Sequence, residues 1–389
     1  MPILMLCLLA VFSGMQAQPA TPSASGWTLR LVAPDPLYLV GRTRVVAVAL
    51  DPSGKPFEKI SWMNLSLDGR ELGADSRPPY EWEVDVGAAL DRHRLELTAV
   101  ARDGGRSTLS VLSPSYPFVD AVGVNLVLVP AVVRVGGRAV TGLTSSDFTL
   151  LEDGVAQTIT SFSSEPMPAS IAVALDNSGS MEGQLWSAQK AIAGFLQTQP
   201  GWTSLAFMTF NDQVFLEQDF TFEARLIATA VAAARVDGTR TALYEAVRIG
   251  SMYLGKRPGA RVLLIFTDGE DTEHEGEGAE ASQGRLRRSI DAAQAADITV
   301  FALAYGNAGT GSGGAALKQM TEQTGGEVAT ARSASELREA FARIGESIGS
   351  RYLLGYEPPQ PKKTGYRAIE LRVSRSGAEV FARRGYVMR

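Results

Sequence analysis

Ser170-Ile171-Ala172-Val173-Ala174-Leu175-Asp176-Asn177-Ser178-Gly179-Ser180 is the stretch on which the reading of this chain turns. Its apolar run stops at Asp176, and from there oxygen-bearing side chains recur at every second position: Asp176, Ser178 and Ser180. A hydrophobic run that breaks into Asp, Ser and Gly reads as a buried strand entering a loop. In an open α/β sheet that strand end is where ligands bind.

Downstream, strand and helix patterns alternate, which points to a parallel sheet with helices on both faces. Strands are expected at 170–175, 204–210, 261–267 and 298–305, with a short one at 327–330. Their near-continuous hydrophobicity is what strands buried on both faces need. Between them Leu185, Ile192, Phe195 and Leu196 share a helix face, as do Leu243, Val247, Gly250 and Leu254. Ser333 and Glu336 are spaced as a capping box ahead of Leu337, Phe341, Ile344 and Ile348. The expected α/β unit spans 169–350.

Both flanks of that unit are β in character. Residues 119–168 carry Val124 to Val135, a turn at Gly136-Gly137, and a β-rich run to Phe162; residues 351–389 carry runs at 351–356, 367–373 and 379–384. The two flanks are expected to pair into one sandwich with the α/β unit inserted between them. Further upstream, residues 27–113 alternate short β runs with the turn signals Asp51-Pro52-Ser53-Gly54, Asp68-Gly69 and Asp103-Gly104-Gly105, the punctuation of an all-β sandwich. Leu67-Asp68-Gly69, Pro79-Tyr80 and His93-Arg94-Leu95 make this segment similar to bacterial immunoglobulin-like modules. The fold class expected for the whole is therefore a doubly wound, mostly parallel α/β sheet combined with all-β sandwich domains.

Residues 1–17 consist of an apolar core followed by small and polar residues, and read as a secretory signal peptide with cleavage after Ala17 or Ala20. A Pro/Ser/Ala linker at 18–26 follows. Cys7 lies inside the signal, so the mature chain would hold no cysteine, which suits a secreted or periplasmic bacterial envelope protein. No second apolar stretch reaches transmembrane length. A formal charge of -5 offers no basic field for nucleic acid.

A metal site at strand ends needs oxygens that converge from separate loops, because one loop cannot surround an ion. Two further loops fit the same sheet edge: Thr241 in Asp237-Gly238-Thr239-Arg240-Thr241-Ala242-Leu243-Tyr244, at a helix start, and Asp268 in Thr267-Asp268-Gly269, at the end of an apolar strand. With Asp176, Ser178 and Ser180 these complete the Asp-x-Ser-x-Ser, Thr and Asp set that resembles the metal-ion-dependent adhesion site of von Willebrand factor type A (VWA) domains, a Rossmann-like fold. Thr239 is a neighbour of the same type, but Thr241 directly precedes Ala242-Leu243-Tyr244, as the family pattern has it. The string from Gly137 to Phe162, Tyr352-Leu353-Leu354-Gly355-Tyr356 and Arg384-Gly385-Tyr386 resemble a VWA-related bacterial family best known from Acidobacteria.

Carboxylate, hydroxyl and water are hard donors that suit Mg²⁺, Mn²⁺ or Ca²⁺ and disfavour Zn²⁺. The resemblance implies that an open coordination position accepts an acidic side chain from a protein partner, which makes the chain a binding protein in adhesion or assembly and not an enzyme. A structural envelope module with a scaffold VWA domain is one alternative, and a metal-dependent hydrolase a weaker one. A hydrolase would need a base beside its serine. The histidines are His93, in the 27–113 segment, and His274, six residues past Asp268, and no Gly-x-Ser-x-Gly elbow surrounds Ser178 or Ser180. Gly306 to Gly314 reads as a flexible connector, Asn211-Asp212 as a turn that supports the site from outside, and the acidic run from Glu270 to Glu280 as a solvated loop.

Overall fold

A computed structural model describes residues 26–33, 39, 42–86, 92–113, 126–164, 167–201, 203–257, 259–268, 271–274, 276, 278–306, 309–358 and 365–388. The expected signal peptide, the linker up to residue 25, and Gly269, Glu270, Glu275 and Glu277 lie outside the described residues. The chain divides into two compact units, one holding the strands up to residue 115 and one holding the rest from Tyr116.

The first unit contains β1 (Thr28–Ala33), β2 (Arg42–Leu50), β3 (Ile60–Leu67), β4 (Arg70–Asp75), β5 (Tyr80–Asp85), β6 (Arg94–Ala101) and β7 (Arg106–Leu112). Two antiparallel sheets, β1-β2-β5 and β4-β3-β6-β7, share one core around Trp27, Met63, Leu65, Trp82, Leu95 and Leu97. Alternation drives this packing: in β6 every second residue is buried, so Leu95, Leu97, Ala99 and Ala101 face inward. β4 carries no such pattern and is not expected from sequence. It forms because Asp68 (φ 50°) and Gly69 (φ 82°) both adopt left-handed conformations, the geometry of a tight two-residue hairpin that folds β4 back on β3. The Asp68 carboxylate also accepts the Arg94 N–H at 2.8 Å and lies 2.7 Å from His93 Nδ1, which joins two of the strings read from sequence into one turn-bracing knot.

The second unit begins with β8 (Val127–Val135), β9 (Arg138–Ala139), β10 (Phe148–Glu152), β11 (Val155–Gln157) and β12 (Ile159–Ser163). An α/β region follows: β13 (Ala169–Asp176), α1 (Leu185–Thr198), β14 (Ser204–Phe210), β15 (Val214–Thr221), α2 (Ala224–Ala233), α3 (Leu243–Leu254), β16 (Ala260–Thr267), α4 (Ala279–Ala295), β17 (Ile298–Tyr305), α5 (Gly311–Thr324), β18 (Val328–Ala331) and α6 (Ala334–Gly349). It closes with β19 (Tyr352–Tyr356), β20 (Gly365–Val373), β21 (Ala378–Ala382) and β22 (Gly385–Met388).

The α/β region is a six-stranded sheet in the order β15-β14-β13-β16-β17-β18, parallel except for β15. All eight residues of β13 are buried, and its side chains alternate between two cores. Ile171, Val173 and Leu175 pack with α1, α2 and α6, while Ala172 and Ala174 pack with α3, α4 and α5. Burial of one such aliphatic side chain contributes about 1.5–3 kcal/mol, so the central strands outweigh any local propensity. β15 departs from the parallel expectation; its alternating exposure marks it as an edge strand, returned by the turn at Asn211-Asp212. The Ser333 hydroxyl accepts the Glu336 N–H at 3.2 Å, as a capping box requires, but Glu336 reaches back to the Arg332 N–H at 2.8 Å, one residue earlier than expected. Gly311–Gly314 belongs to the first turn of α5 and is not a connector.

The flanking segments form two antiparallel sheets, β11-β10-β20-β22 and β12-β19-β8-β21, the latter with β9 at the side of β8. Strands from before and after the α/β region pair directly: Phe148 with Val373, Ser163 with Leu353, Ala131 with Tyr352 and Val135 with Ala378. Between the sheets lies a polar tie. Glu152, on β10, is buried, and its Oε2 accepts hydrogen bonds from Tyr356 on β19 and from Tyr386 on β22, the latter at 3.0 Å. Burial, foremost, with the adjoining carboxylate pushes the Tyr356 phenol well above its ordinary value and that of Tyr386 up to about 12, so both remain donors at every ordinary pH. Arg134, itself 3% exposed, fastens this sandwich to the α/β region through Glu327 and the Arg343 carbonyl, at 3.0 Å each.

The tie yields a prediction. Tyr386→Phe leaves the buried Glu152 carboxylate one donor short and should lower the stability of this unit by about 1–3 kcal/mol in denaturant titration, whereas Glu152→Gln with Tyr386→Phe should cost less than the sum of the single changes.

Candidate functional site

The five oxygen-bearing side chains singled out from sequence come from three loops at the carboxyl edge of the sheet. β13 continues to β14 on one side, while β16 lies on its other side, so the strand order reverses between β13 and β16. That reversal opens a crevice at the strand ends, between Asp176 at the end of β13 and Asp268 just past β16. Past Asp176 the backbone stays extended (Ser178 φ −62°, ψ 167°) before the 3-10 turn Gly179–Gly183. An extended chain puts Asp176 and Ser178 on one side, and the turn then brings Ser180 Oγ to 3.1 Å from Ser178 Oγ. The intervening Asn177 turns away, its amide donating to the Arg235 carbonyl at 2.9 Å.

The hydroxyls form a relay. Thr241 Oγ1 donates to Ser178 Oγ at 3.2 Å, Ser178 Oγ lies 3.1 Å from Ser180 Oγ, and Ser180 Oγ donates to Asp268 Oδ1 at 2.8 Å. Asp176 forms the floor: its Oδ1 accepts the Ser178 N–H at 3.0 Å and its Oδ2 accepts Thr267 Oγ1 at 2.7 Å. Burial grades outward, with Asp176, Ser178, Thr241 and Thr267 at 4% exposure or less and Ser180 and Asp268 facing solvent. Thr239 does not join the relay; its N–H goes to Asp212 Oδ2 at 3.0 Å.

A second set of contacts holds Thr241 in place, and sequence reading saw only part of it. The Asn211 carbonyl accepts the Ala242 N–H at 2.7 Å, so Asn211-Asp212 braces both ends of the Thr239–Ala242 segment. Gly238 (φ 73°) is required there, because a Cβ would fall 2.6 Å from Asp212 Oδ2 and 2.9 Å from Asn211 Cβ. Thr272 pairs with Thr241 in both directions, each N···O distance being 2.9 Å. Asp271 is a correction to the solvated-loop reading: its side chain is 1% exposed, accepts the Tyr244 N–H at 3.1 Å and sits 3.4 Å from Arg285. An acidic run hides such a residue because composition alone does not distinguish a helix-capping carboxylate from its solvated neighbours. Thr267, buried and bonded to Asp176, likewise reads in the sequence only as the end of a strand.

Burial pushes the Asp176 carboxyl up to about 6, against the lowering effect of its hydrogen bonds from Ser178 and Thr267 and with a further push from Asp268. Among the described residues no three His, Cys, Asp or Glu side chains are grouped as metal ligands. The donor set here is of another kind, two carboxylates and three neutral hydroxyls. Its oxygens lie at hydrogen-bond distances of 2.8–3.2 Å along the relay, and it is their all-oxygen chemistry that suits a hard divalent ion. The residues therefore fit a small hard cation.

Residues 170–343 match the family model of the von Willebrand factor type A domain, so a VWA domain is present there and the α/β sheet is a VWA fold. Among solved structures the chain is similar to a von Willebrand factor type A protein from Catenulispora acidiphila, at 13% identity over 68% of this chain and 73% of that one, with a TM-score of 0.42. It is similar as well to the vWF domain of the type V pili tip protein Mfa5 from Porphyromonas gingivalis, at 14% identity over 47% of this chain and 95% of that one, with a TM-score of 0.38. A third is proximal thread matrix protein 1 from the mussel byssus with a zinc-occupied MIDAS motif, at 16% identity over 51% of this chain and 50% of that one, with a TM-score of 0.40. A search of curated proteins finds no match.

A raised carboxyl in the folded state makes the cation-free protein lose stability as pH rises from the unfolded value of 3.8 through about 6. In chelator, Asp176→Asn should therefore gain on the wild type by about 2 kcal/mol between pH 4 and pH 7, read as the difference between two denaturant titration series. A constant difference across that range would contradict the buried, raised carboxyl.

Proposed function

We propose that the VWA domain holds one divalent cation on Asp176, Ser178, Ser180, Thr241 and Asp268, and through it binds an acidic side chain of a partner protein. The ion is Mg²⁺, with Mn²⁺ or Ca²⁺ as substitutes. The observation that carries this reading is the hydroxyl relay from Thr241 through Ser178 and Ser180 to the Asp268 carboxylate, with the buried Asp176 carboxylate bonded to the Ser178 N–H beneath it. Once the buried Asp176 is ionised, the two carboxylates balance a divalent ion without making the site anionic, so an open coordination position can still take a further anionic oxygen. α1 and α3 both start beside the site, and the positive ends of their dipoles favour an incoming anion over further positive charge. Carboxylate capture follows from that balance.

Binding without turnover suits the neighbours of the serines. The side-chain hydrogen bonds of Ser178 Oγ and Ser180 Oγ go to hydroxyl and carboxylate oxygens, which hand an ion its ligands but give a nucleophile no imidazole base. His93 is occupied with Asp68 in the first unit, and His274 lies 3.7 Å from Glu273. The apolar stretch in residues 1–17 supports an exported, envelope-located protein acting in adhesion or assembly. Among the described residues no helix is long and apolar enough to cross a membrane. The strands up to residue 115 we read as an immunoglobulin-like module.

Titrating chelator-treated protein with Mg²⁺ at pH 7.5 should raise its melting temperature, and Asp176→Ala or Thr241→Ala should abolish the rise. At pH 5, where a proton holds Asp176, the Mg²⁺ midpoint should move about tenfold higher. Envelope extract passed over immobilised protein should yield a captured protein that EDTA releases and that Asp176→Ala fails to retain. Identical captures in all lanes would refute cation-dependent binding.

A further inference from the structure

We infer that the open edge of β7 is a self-pairing surface, at which the chain joins a second copy of itself by antiparallel sheet hydrogen bonds about a twofold axis. The inference stands on the first unit alone and is independent of the cation site. β7 is the last strand of the sheet β4-β3-β6-β7, and among the described residues no strand pairs with its outer edge. β1, in the opposite sheet, approaches β7 but pairs with β2 alone. The phase of the ladder decides which backbone groups point outward. The Ala101 N–H bonds the Gly105 carbonyl at one end of the β6–β7 pair and the Ser113 N–H bonds the His93 carbonyl at the other, both at 2.8 Å, and the register between them runs without a shift. Alternation therefore turns the backbone groups of Ser107, Leu109 and Val111 toward β6 and sends those of Arg106, Thr108, Ser110 and Leu112 to the open edge. The side chains of Ser107, Leu109 and Val111 are buried, whereas those of Arg106, Thr108 and Leu112 are exposed.

Folded proteins guard open edges with charge or with brevity. The edge strands β1, β4, β5, β15 and β21 carry Arg30, Glu71, Glu83, Glu217 and Glu379 respectively. β9, β11, β12, β18 and β22 have five residues or fewer. β7 has neither protection: it runs seven residues, and its charge, Arg106, stands at the very start. The occupant is a second copy because the strand is complementary to itself. A twofold axis at Leu109 sets Thr108 opposite Ser110 of the second copy and Arg106 opposite Leu112 of the second copy, so every outward-facing residue meets another outward-facing one. No like charges face each other in that register, and the Thr–Ser pairs suit adjacent strands. Leu112, 47% exposed, then lies beside the methylenes of Arg106 from the second copy, which can cover it while the guanidinium stays in water.

Sedimentation velocity of the full-length protein over a concentration series tests this, with circular dichroism to check that each variant is folded. The wild type should dimerise reversibly. Thr108→Lys with Ser110→Lys sets like charges opposite each other on both sides of the axis and should weaken the dimer about tenfold. Thr108→Lys with Ser110→Glu sets opposite charges there and should restore it. Thr108→Pro removes an N–H that points away from β6, so it should dissociate the dimer without breaking the β6–β7 ladder. A wild type that stays monomeric at every concentration overturns the inference, as does a dimer that all three variants retain. A Lys/Glu variant no better associated than the Lys/Lys variant overturns the twofold pairing at Leu109.

Discussion

A carboxylate with no exposed surface must find its hydrogen bonds inside the protein, and Asp176 meets that demand from two directions. Thr267 donates from the end of the neighbouring strand, and the Ser178 N–H donates from its own loop. Each contact fixes something larger. The first ties the ends of β13 and β16 together across the crevice, and the second holds the extended backbone at Ser178 from which the turn carrying Ser180 starts. Remove the carboxylate and the loop loses the reason for its shape. The geometry of the site is therefore held by its deepest group, while at the mouth Ser180 is exposed and Asp268 half-buried.

The same logic recurs in the sandwich. Glu152 is buried as well, and two phenols donate to it. Asp176 has one hydroxyl and one amide, and burial wins, which is why its carboxyl rises to about 6. One site is satisfied by protein alone. The other is left with capacity for a further positive charge.

Much of this was legible in the residues. The apolar runs ending at Leu175 and Thr267 identified the central strands because a strand buried on both faces tolerates little else. The Asp, Ser, Ser, Thr, Asp set was visible because side-chain oxygens after apolar runs are conspicuous. What stayed hidden was whatever depends on partners distant in sequence. Thr267 looks like the last residue of a strand until Asp176, 91 residues earlier, is seen beside it. Asp271 merges with its acidic neighbours, and only the helix start at Tyr244 shows why it is buried. β4 has no pattern of its own and exists because the turn at Asp68-Gly69 delivers it to β3.

The pairing of β12 with β19 carries a mechanical consequence. The chain enters the VWA fold just after Ser163 and leaves it just before Tyr352, and these entry and exit strands are hydrogen-bonded neighbours, Ser163 beside Leu353. The VWA fold hangs from the closed end of an antiparallel pair. Tension applied between the two flanking segments is borne as shear by strand pairs of the sandwich, so the folded loop of chain between them carries little load. A ligand gripped at the sheet edge would in turn pull on entry and exit together, in the direction that loads their mutual hydrogen bonds least evenly.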